Sequence, residues 1–328
     1  MRYVRLGRTD LEVSVIGLGC GNFGGIGSVP ELFGQGEDER AAFALMDAAR
    51  EHGVTLFDTA NAYGGGRSET TVGRWLASRR ARDEIVLTTK VRNRVGPGAG
   101  DEGLSARHIR EQIDASLGRL GTDRVDLYLA HEPDHSVPID ETMAAFDELI
   151  RAGKVRHAGL SNYDGEQVRS AVAAASAAGL HAPANLQNGY SLLDRRAADD
   201  VLEVCAASGI GFTAYSPLAG GWLTGKYRAG EPYPDGSRMR LRPDPYRELE
   251  QPEVFAALAG LERAAGERGV SLAALGLAWV LTDPGVTAAI VGPRRPEQLA
   301  PAIEALDVDL DQAERGVLAG IALGAAAG

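Results

Sequence analysis

Short apolar runs rich in β-branched residues alternate along the chain with longer segments of helical period. These runs have the length of β-strands, and most of them show no alternation of polar and apolar positions. Such runs predict strands that are buried on both faces, as in a parallel sheet. The eight runs are Val13–Leu18, Val54–Phe57, Ile85–Thr89, Val125–Ala130, His157–Leu160, Ala184–Leu186, Gly211–Ala214 and Thr287–Val291.

The segments between the runs predict amphipathic helices, because apolar residues recur there at helical spacing. Two such stripes are Ile109, Ile113 and Leu117, and Met143, Phe146 and Ile150. Helix starts are predicted at Asp38, at Ser68, at the capping pair Asp164 and Gln167, and at Pro296. Eight strands that alternate with helices in 328 residues predict a closed (β/α)8 TIM barrel.

Two segments fall outside this repeat. Residues 3–12 predict a small β-hairpin that turns between Gly7 and Asp10 and that could plug the bottom of the barrel. Residues 216–250, rich in Gly, Pro and Arg, predict a long functional loop after the seventh strand. No linker divides the chain, so we expect one domain over residues 1–328, with fraying at about 323–328.

Charge and composition narrow the possible functions. Lys and Arg number 34 and Asp and Glu 45, a net charge of −11 that argues against broad binding to nucleic acid or to an anionic membrane. A local basic pocket for an anionic cofactor remains compatible with that charge. Cys20 and Cys205 cannot build a disulfide framework, and neither a signal peptide nor an apolar run of membrane-spanning length is apparent. A cytoplasmic protein is expected.

Three matches to well-known motifs fail in their context. The H-E-x-x-H match at 131–135 contains Pro133 and follows a strand, so a zinc helix is not expected, and no metal site is predicted. The P-loop-like stretch at 220–226 is followed by Tyr227 instead of Ser or Thr. The G-x-G-x-x-G match at 19–24 is followed by further glycines and a proline instead of the helix that a Rossmann site needs.

Polar residues follow six of the predicted strands at their carboxyl ends. In a parallel barrel these ends converge on one rim, where active sites lie. The residues are Asp58, Lys90, His131, Ser161 with Asn162, Gln187 with Asn188, and Tyr215 with Ser216.

Four of the rim residues make a coherent acid site: Asp58, Tyr63, Lys90 and His131. A tyrosine with a pKa of ~10 is a poor proton donor near neutrality. A lysine ammonium ~4 Å away contributes roughly 4 kcal/mol at an effective dielectric constant of 20, which predicts a net fall in the pKa of Tyr63. Asp58 would keep the lysine charged, and His131 would orient a carbonyl oxygen.

These four residues, in the segments Leu56–Ala60 and Leu129–Asp134, resemble the catalytic tetrad of the aldo-keto reductases. The resemblance runs from about residue 3 to about residue 306. Its further matches are the segments Gly159–Tyr163, Asn185–Leu192 and Tyr215–Gly221.

The resemblance implies a barrel that binds NADP(H), in the reduced form NADPH, along its rim without a Rossmann fold. Tyr215 would stack under the nicotinamide, and the residues implied to hold that ring and its carboxamide are Asp58, Ser161, Asn162 and Gln187. The pyrophosphate path would be lined by Ser216, Pro217, Leu218, Gly220 and Lys226. The adenosine 2′-phosphate end would meet Gly292, Arg294 and Gln298.

The sequence departs from the family pattern near the adenine, where Pro301-Ala302 replace a common Glu-Asn pair, so the choice between NADP and NAD is open. Cys20 stands where a threonine is common. Arg238, Arg240 and Arg242 could supply compensating charge, with solvated surface charges as the alternative. Candidates to line a substrate pocket are Phe23, Trp222, Asn93 and Arg94.

The sequence therefore predicts an NAD(P)H-dependent oxidoreductase that reduces an aldehyde or ketone to an alcohol, reversibly, with Tyr63 as the general acid. The expected partner is a small carbonyl or alcohol substrate, whose identity stays open together with the oligomeric state. A second hypothesis is a cofactor-binding regulatory subunit similar to the β subunits of potassium channels.

Overall fold

A computed structural model of the chain describes residues 1–98, 100–196 and 200–324. Two short strands come first, β1 (Tyr3–Arg5) and β2 (Glu12–Ser14). Eight parallel strands then close into a barrel in the order β10-β3-β4-β5-β6-β7-β8-β9. They are β3 (Ile16–Gly19), β4 (Leu56–Asp58), β5 (Val86–Val91), β6 (Val125–Ala130), β7 (Val155–Ser161), β8 (Asn185–Gly189), β9 (Gly211–Tyr215) and β10 (Ala288–Val291). The predicted (β/α)8 barrel is confirmed.

Helices surround the barrel and connect its strands. They are α1 (Glu39–Glu51), α2 (Arg67–Arg79), α3 (Ala106–Leu120), α4 (Ile139–Arg151), α5 (Gly165–Ala178), α6 (Val201–Ser208), α7 (Arg238–Leu241), α8 (Pro252–Glu267), α9 (Leu272–Leu281), α10 (Ala300–Glu304) and α11 (Gln312–Leu323). The part of the chain from residue 325 to 328, where fraying was expected, lies outside the described residues.

Local capping explains where several of these helices begin. Asp38 accepts a hydrogen bond from the backbone N–H of Ala41 at 2.8 Å and so starts α1. Asp164 and Gln167 form a reciprocal capping box at the start of α5, as the sequence predicts. A 3₁₀ turn with Pro296 at its first position leads into α10.

The prediction that Ser68 caps a helix is wrong. Helix α2 begins at Arg67, and the capping position is Gly66, whose φ of 88° favours glycine. Ser68 is buried in the first turn, where its hydroxyl donates to the backbone oxygen of Cys20 at 2.8 Å and lies 2.7 Å from Thr59 Oγ1. The serine therefore ties α2 to the ends of β3 and β4.

The N-terminal hairpin lies across the amino-terminal ends of the barrel strands. The single run Val13–Leu18 is in fact two strands, because Ser14 ends β2 and Ile16 starts β3. Val4 pairs with Val13 in an antiparallel register. A separate buried cluster fills this end of the barrel, made of hairpin and strand residues: Leu6, Leu11, Val13, Leu56, Leu127, Leu129, Ala288 and Ile290.

The long segment after β9, the seventh barrel strand, is a loop with short helical pieces. A 3₁₀ turn covers Ala219–Thr224, α7 follows, and a second 3₁₀ turn covers Asp244–Leu249. Met239 of α7 is buried in the main hydrophobic core, which anchors the middle of the loop against the barrel.

Within residues 1–98, 100–196 and 200–324, no single helix combines the length and the apolar character needed to cross a bilayer. Helices α8 and α9 pass that test only when taken together, and they are bent by 89° relative to each other.

Candidate active site

A buried ion pair lies at the carboxyl ends of β4 and β5. Lys90 is fully buried, and its Nζ donates to Asp58 Oδ2 at 2.6 Å and to the backbone oxygen of Thr59 at 3.0 Å. The two strands are neighbours in the barrel, so their carboxyl ends bring the amine and the carboxylate together. A charged pair removed from water needs such close hydrogen bonding to be tolerated.

Tyr63 reaches this pair from the turn that follows β4. The turn requires glycine at position 64, where φ is 59° and a Cβ would lie 2.9 Å from the backbone oxygen of Phe23. Tyr63 Oη lies 3.5 Å from Lys90 Nζ and 3.4 Å from Nε2 of His131, the residue after β6. The structure thus brings the four predicted side chains together.

The electrostatics of these groups differ in part from the sequence expectation. Burial and the neighbouring Lys90 and Arg92 cations lower the pKa of His131 well below 6.5, so its ring is neutral at physiological pH. Desolvation lowers the pKa of Lys90, but the Asp58 carboxylate and Tyr63 outweigh it, and the net pKa is raised. Lys90 therefore stays charged, as the sequence analysis expects.

The expected net fall in the pKa of Tyr63 is wrong. Desolvation raises the pKa above 10.0, and the Lys90 charge offsets only part of that rise, while Asp58 adds to it. The phenol consequently keeps its proton throughout the neutral range. The Lys90 charge therefore stabilises the Tyr63 oxygen only when negative charge develops on that oxygen during proton transfer.

A polar side chain supports His131 from the opposite edge of its ring. Asn93 Nδ2 lies 3.4 Å from His131 Nδ1 and 3.4 Å from Ser28 Oγ. An amide nitrogen beside Nδ1 fits the neutral tautomer in which Nδ1 accepts and Nε2 carries the proton. The N–H of His131 then points toward Tyr63 and the open rim.

The residues implied to hold a nicotinamide lie beside this group and bond to one another. Gln187 donates to Asp58 Oδ1 at 2.8 Å. Tyr215 donates its hydroxyl to Asn162 Oδ1 at 2.8 Å, and Asn162 donates to the backbone oxygen of His131 at 2.8 Å and to Ser161 Oγ at 3.2 Å. The network links the rim of β7, β8 and β9 to the ion pair.

The segment after β9 has the backbone and charge of an anion site. Positive φ values at Ser216 (52°) and Gly220 (64°) mark a tightly turned backbone around Pro217 and Leu218. Lys226 follows this turn, and burial together with the nearby Arg238 and Arg294 cations lowers its pKa. Cations forced this close together fit an anionic group such as a pyrophosphate.

The third implied set, at the adenosine end, is partly engaged within the protein. Arg294 forms an ion pair with the buried Glu37 and donates to the backbone oxygen of Gly236 at 2.7 Å. The Gln298 side chain accepts from the backbone N–H of Arg294 at 2.7 Å. No atom lies within 4 Å of a Cβ built on Gly292, which leaves open space there.

Three of the four candidates for the substrate pocket make other contacts in the structure. Phe23 and Trp222 are fully buried in the main hydrophobic core, and Trp222 packs against Tyr227 and Phe255. Arg94 is paired with Glu102 in a loop. Asn93 is the candidate that lies beside His131.

Two residues near the site were not predicted from the sequence. Tyr246 lies with its hydroxyl 2.6 Å from Ser216 Oγ, and its ring covers Gly220. Glu37 pairs with Arg294, 257 positions away. Both stand in segments of irregular period, so no pattern in the sequence pointed to them.

The structure also shows the context of the H-E-x-x-H match. Strand β6 ends at Ala130 and α4 begins only at Ile139, so residues 131–135 do not form a helix. Among the described residues, no three or more His, Cys, Asp or Glu side chains form a group that could hold a metal ion.

Comparison with known proteins decides the family. The model of the aldo/keto reductase family matches residues 15–321. The chain belongs to the aldo/keto reductase family. Members of this family generally use nicotinamide cofactors, and the chain is an oxidoreductase by family.

Three curated relatives of this aldo/keto reductase illustrate the range of names in the family. An uncharacterized oxidoreductase, YrpG of Bacillus subtilis, is 38% identical over 95% of this chain and 93% of its own length. A probable voltage-gated potassium channel subunit beta of Arabidopsis thaliana is 36% identical over 94% and 92%. L-glyceraldehyde 3-phosphate reductase of Escherichia coli O157:H7 is 33% identical over 94% and 88%.

Proposed function

We propose that this aldo/keto reductase is an NADPH-dependent enzyme that reduces an aldehyde or ketone to an alcohol and can run in reverse. The observation that carries the proposal is the position of the Tyr63 hydroxyl, 3.5 Å from Lys90 Nζ and 3.4 Å from His131 Nε2. A phenol held between a cation and a neutral imidazole suits the protonation of a carbonyl oxygen.

Binding of the cofactor is assigned to three groups of rim residues, of which Gly292, Arg294 and Gln298 meet the adenosine end. Ser161, Asn162, Gln187 and Tyr215 hold the nicotinamide end, and the turn after β9 with Lys226 holds the pyrophosphate. The chemistry that NADPH supplies when bound is a hydride for the carbonyl carbon. Choice of NADPH over NADH is supported by the cations Arg238 and Arg294, which both lower the pKa of the nearby Lys226.

The protein itself supplies the proton for the reaction. As the carbonyl carbon gains a hydride, its oxygen takes the proton of Tyr63, which leaves an alcohol and a phenolate. Lys90 stabilises the phenolate, Asp58 keeps Lys90 charged, and solvent later returns the proton to Tyr63. His131, neutral and protonated on Nε2, donates a hydrogen bond that orients the carbonyl oxygen.

The test mixes the purified protein with NADPH and a panel of aldehydes and ketones and follows the loss of the reduced cofactor. Tyr63→Phe removes the transferred proton, so we expect kcat to fall about a hundredfold to ten-thousandfold. Binding of NADPH, measured by protein fluorescence, should stay close to the wild-type value. Undiminished turnover in Tyr63→Phe would contradict the assigned role.

A parallel titration compares NADPH with NADH. The cation cluster predicts tighter binding of the phosphorylated cofactor, because each charge-assisted hydrogen bond to a phosphate adds to its affinity. Equal dissociation constants for the two cofactors would remove that part of the proposal.

A second candidate function is regulatory, and the relative named as a channel subunit beta in Arabidopsis thaliana favours it. In that case the fold would bind the cofactor and a membrane partner with negligible turnover. Turnover of any carbonyl compound in the panel at enzymatic rates decides for the enzyme.

A further inference from the structure

Three glycines, Gly21, Gly27 and Gly64, lie next to one another beside Tyr63. A Cβ built on Gly21 would lie 3.5 Å from the Tyr63 ring. Gly27 donates its N–H to the backbone oxygen of Gly21 at 2.7 Å and accepts from the N–H of Gly64 at 2.9 Å. Because no side chain projects from these glycines, this part of the wall of the rim consists of backbone alone.

One side chain from the long loop after β9 lies on this wall. Arg242 follows α7, and its Nη1 would be 2.6 Å from a Cβ built on Gly27. The guanidinium therefore rests on the backbone of Gly27. The backbone of Gly27 is hydrogen-bonded to Gly21, which lies beside the Tyr63 ring, and to Gly64, which follows Tyr63. Its charge is close enough to act on the phenol, since Arg242 is one of the groups that lower the pKa of Tyr63.

The Arg242 guanidinium has no acidic partner within the described ranges. Two other arginines of the same loop are paired, Arg240 with Asp235 at 3.6 Å and Arg247 with Asp244 at 3.0 Å, whereas Arg238 contacts the side chain of Asn22. Other charges close to the site are matched too, since Lys90 has Asp58 and Arg92 has Glu132. In a protein of net charge −11, a cation without a carboxylate partner beside a candidate acid can pair with an anionic ligand.

We propose that Arg242 binds a carboxylate or phosphate group of the substrate, so that the preferred carbonyl compounds of this enzyme are anionic. The proposal rests on the function proposed above and adds the class of substrate. A guanidinium donates two parallel hydrogen bonds to a carboxylate or a phosphate, which fixes the carbonyl relative to Tyr63 and His131.

Two sources of the anion are possible in chemical terms, the substrate and the phosphates of the cofactor. Lys226, Arg238 and Arg294 form the cation group assigned to the cofactor. Arg238 and Arg294 lower the pKa of Lys226, and Arg242 and Arg294 lower the pKa of Arg238. Arg242 also rests on Gly27, whose backbone is hydrogen-bonded to Gly21 and Gly64 beside Tyr63, where the substrate reacts. This position favours the substrate as the source.

The experiment compares 4-oxobutanoate with its neutral methyl ester as substrates of the wild-type enzyme, Arg242→Gln and Arg242→Lys. The readout is the ratio of the two kcat/KM values. We expect the wild type to prefer the anion, and Arg242→Gln to lower the ratio about tenfold to hundredfold, mainly through KM. Arg242→Lys keeps the charge and should retain part of the preference.

The matched control is Arg240→Gln, which removes an equal charge at an exposed position of α7, two residues before Arg242. It should leave the ratio near the wild-type value. A ratio that stays the same in Arg242→Gln, or that falls equally in Arg240→Gln, overturns the proposal.

Fluorescence titration with NADPH separates the two sources of the anion. If Arg242→Gln weakens NADPH binding by the same factor and lowers kcat/KM for both substrates alike, Arg242 is a cofactor ligand and the proposal is wrong. If the wild type reduces no carbonyl compound of the panel while it binds NADPH, the proposed function itself fails. Reduction of both compounds with no preference for the anion overturns only the role of Arg242.

Discussion

The two ends of the barrel differ in whether their cations have carboxylate partners. At the amino-terminal end, Asp10 of the hairpin accepts from Arg156 at 2.8 Å and lies 2.7 Å from His157, while Asp126 pairs with both Arg156 and Arg82. Arg82 and Arg156 thus each have a carboxylate partner.

At the carboxyl-terminal end, Lys226, Arg238 and Arg242 have no carboxylate within 4.0 Å among the residues that the structure describes, although they lie near one another. The difference teaches which end is built for stability and which for ligands. Paired charges and a closed apolar cluster make one end complete by itself, whereas unmatched cations raise the energy of the other end until an anion binds.

The largest effect on stability and activity is expected at the buried Lys90–Asp58 pair, at the carboxyl-terminal end of the barrel. Lys90→Met leaves the Asp58 carboxylate buried without its cation, which should lower the free energy of unfolding by about 3–5 kcal/mol. It also removes the charge that stabilises the Tyr63 phenolate, so kcat should fall at least about a hundredfold. Chemical denaturation and steady-state kinetics measure the two effects.

The double variant Lys90→Met with Asp58→Asn separates these effects. It removes both charges, so we expect stability to recover in large part while activity stays lost. Recovery of activity together with stability would show that the pair is structural only.

A smaller effect, on stability alone, is expected from the apolar cluster at the amino-terminal end of the barrel. Leu6→Ala removes a fully buried side chain and should cost about 2–5 kcal/mol of unfolding free energy. Activity of the folded protein should not change, because the cluster lies at the end of the barrel opposite the rim residues. Val4→Ala, at an exposed position of the same hairpin, is the control and should change stability by less than about 0.5 kcal/mol. A comparable loss of kcat in Leu6→Ala would break the contrast between the ends.

The smallest effect concerns the exposed ion pairs of the hairpin. Hydrogen bonds from His157 and Arg156 lower the pKa of Asp10 from 3.8 to about 2. Because the pKa is lower in the folded state, the stabilisation is present above pH 3.8 and is lost as the pH falls toward 2.

Asp10→Asn should therefore be less stable than the wild type near neutral pH, by under about 1 kcal/mol for a pair this exposed. The gap between the two proteins should close in acid. Urea unfolding of both proteins across this pH range measures it, and a gap that widens in acid would contradict the assignment.

The barrel and the core of the site were predictable for one reason. The alternation of buried strands and helices implies a parallel barrel, and a parallel barrel puts every strand's carboxyl end on one rim. Asp58 and Lys90 lie at the carboxyl ends of two such strands and His131 directly follows a third, so their proximity could be inferred without any long-range contact. Tyr63 follows β4 closely enough to share that rim.

Other features could not be read in this way because they depend on packing. The single run Val13–Leu18 contains a break between two strands that apolarity alone does not reveal. The direction of the Tyr63 pKa shift depends on how far burial outweighs the Lys90 charge, and only the folded structure sets that balance.

The sequence by itself determined the architecture of this protein and the rim to which its reactive side chains belong, because periodicity and chain order are local properties. Tertiary structure alone decided which charges meet across irregular segments. Glu37 pairs with Arg294, and Arg242 rests on Gly27, through loops that carry no period and whose course is set by packing against the rest of the molecule.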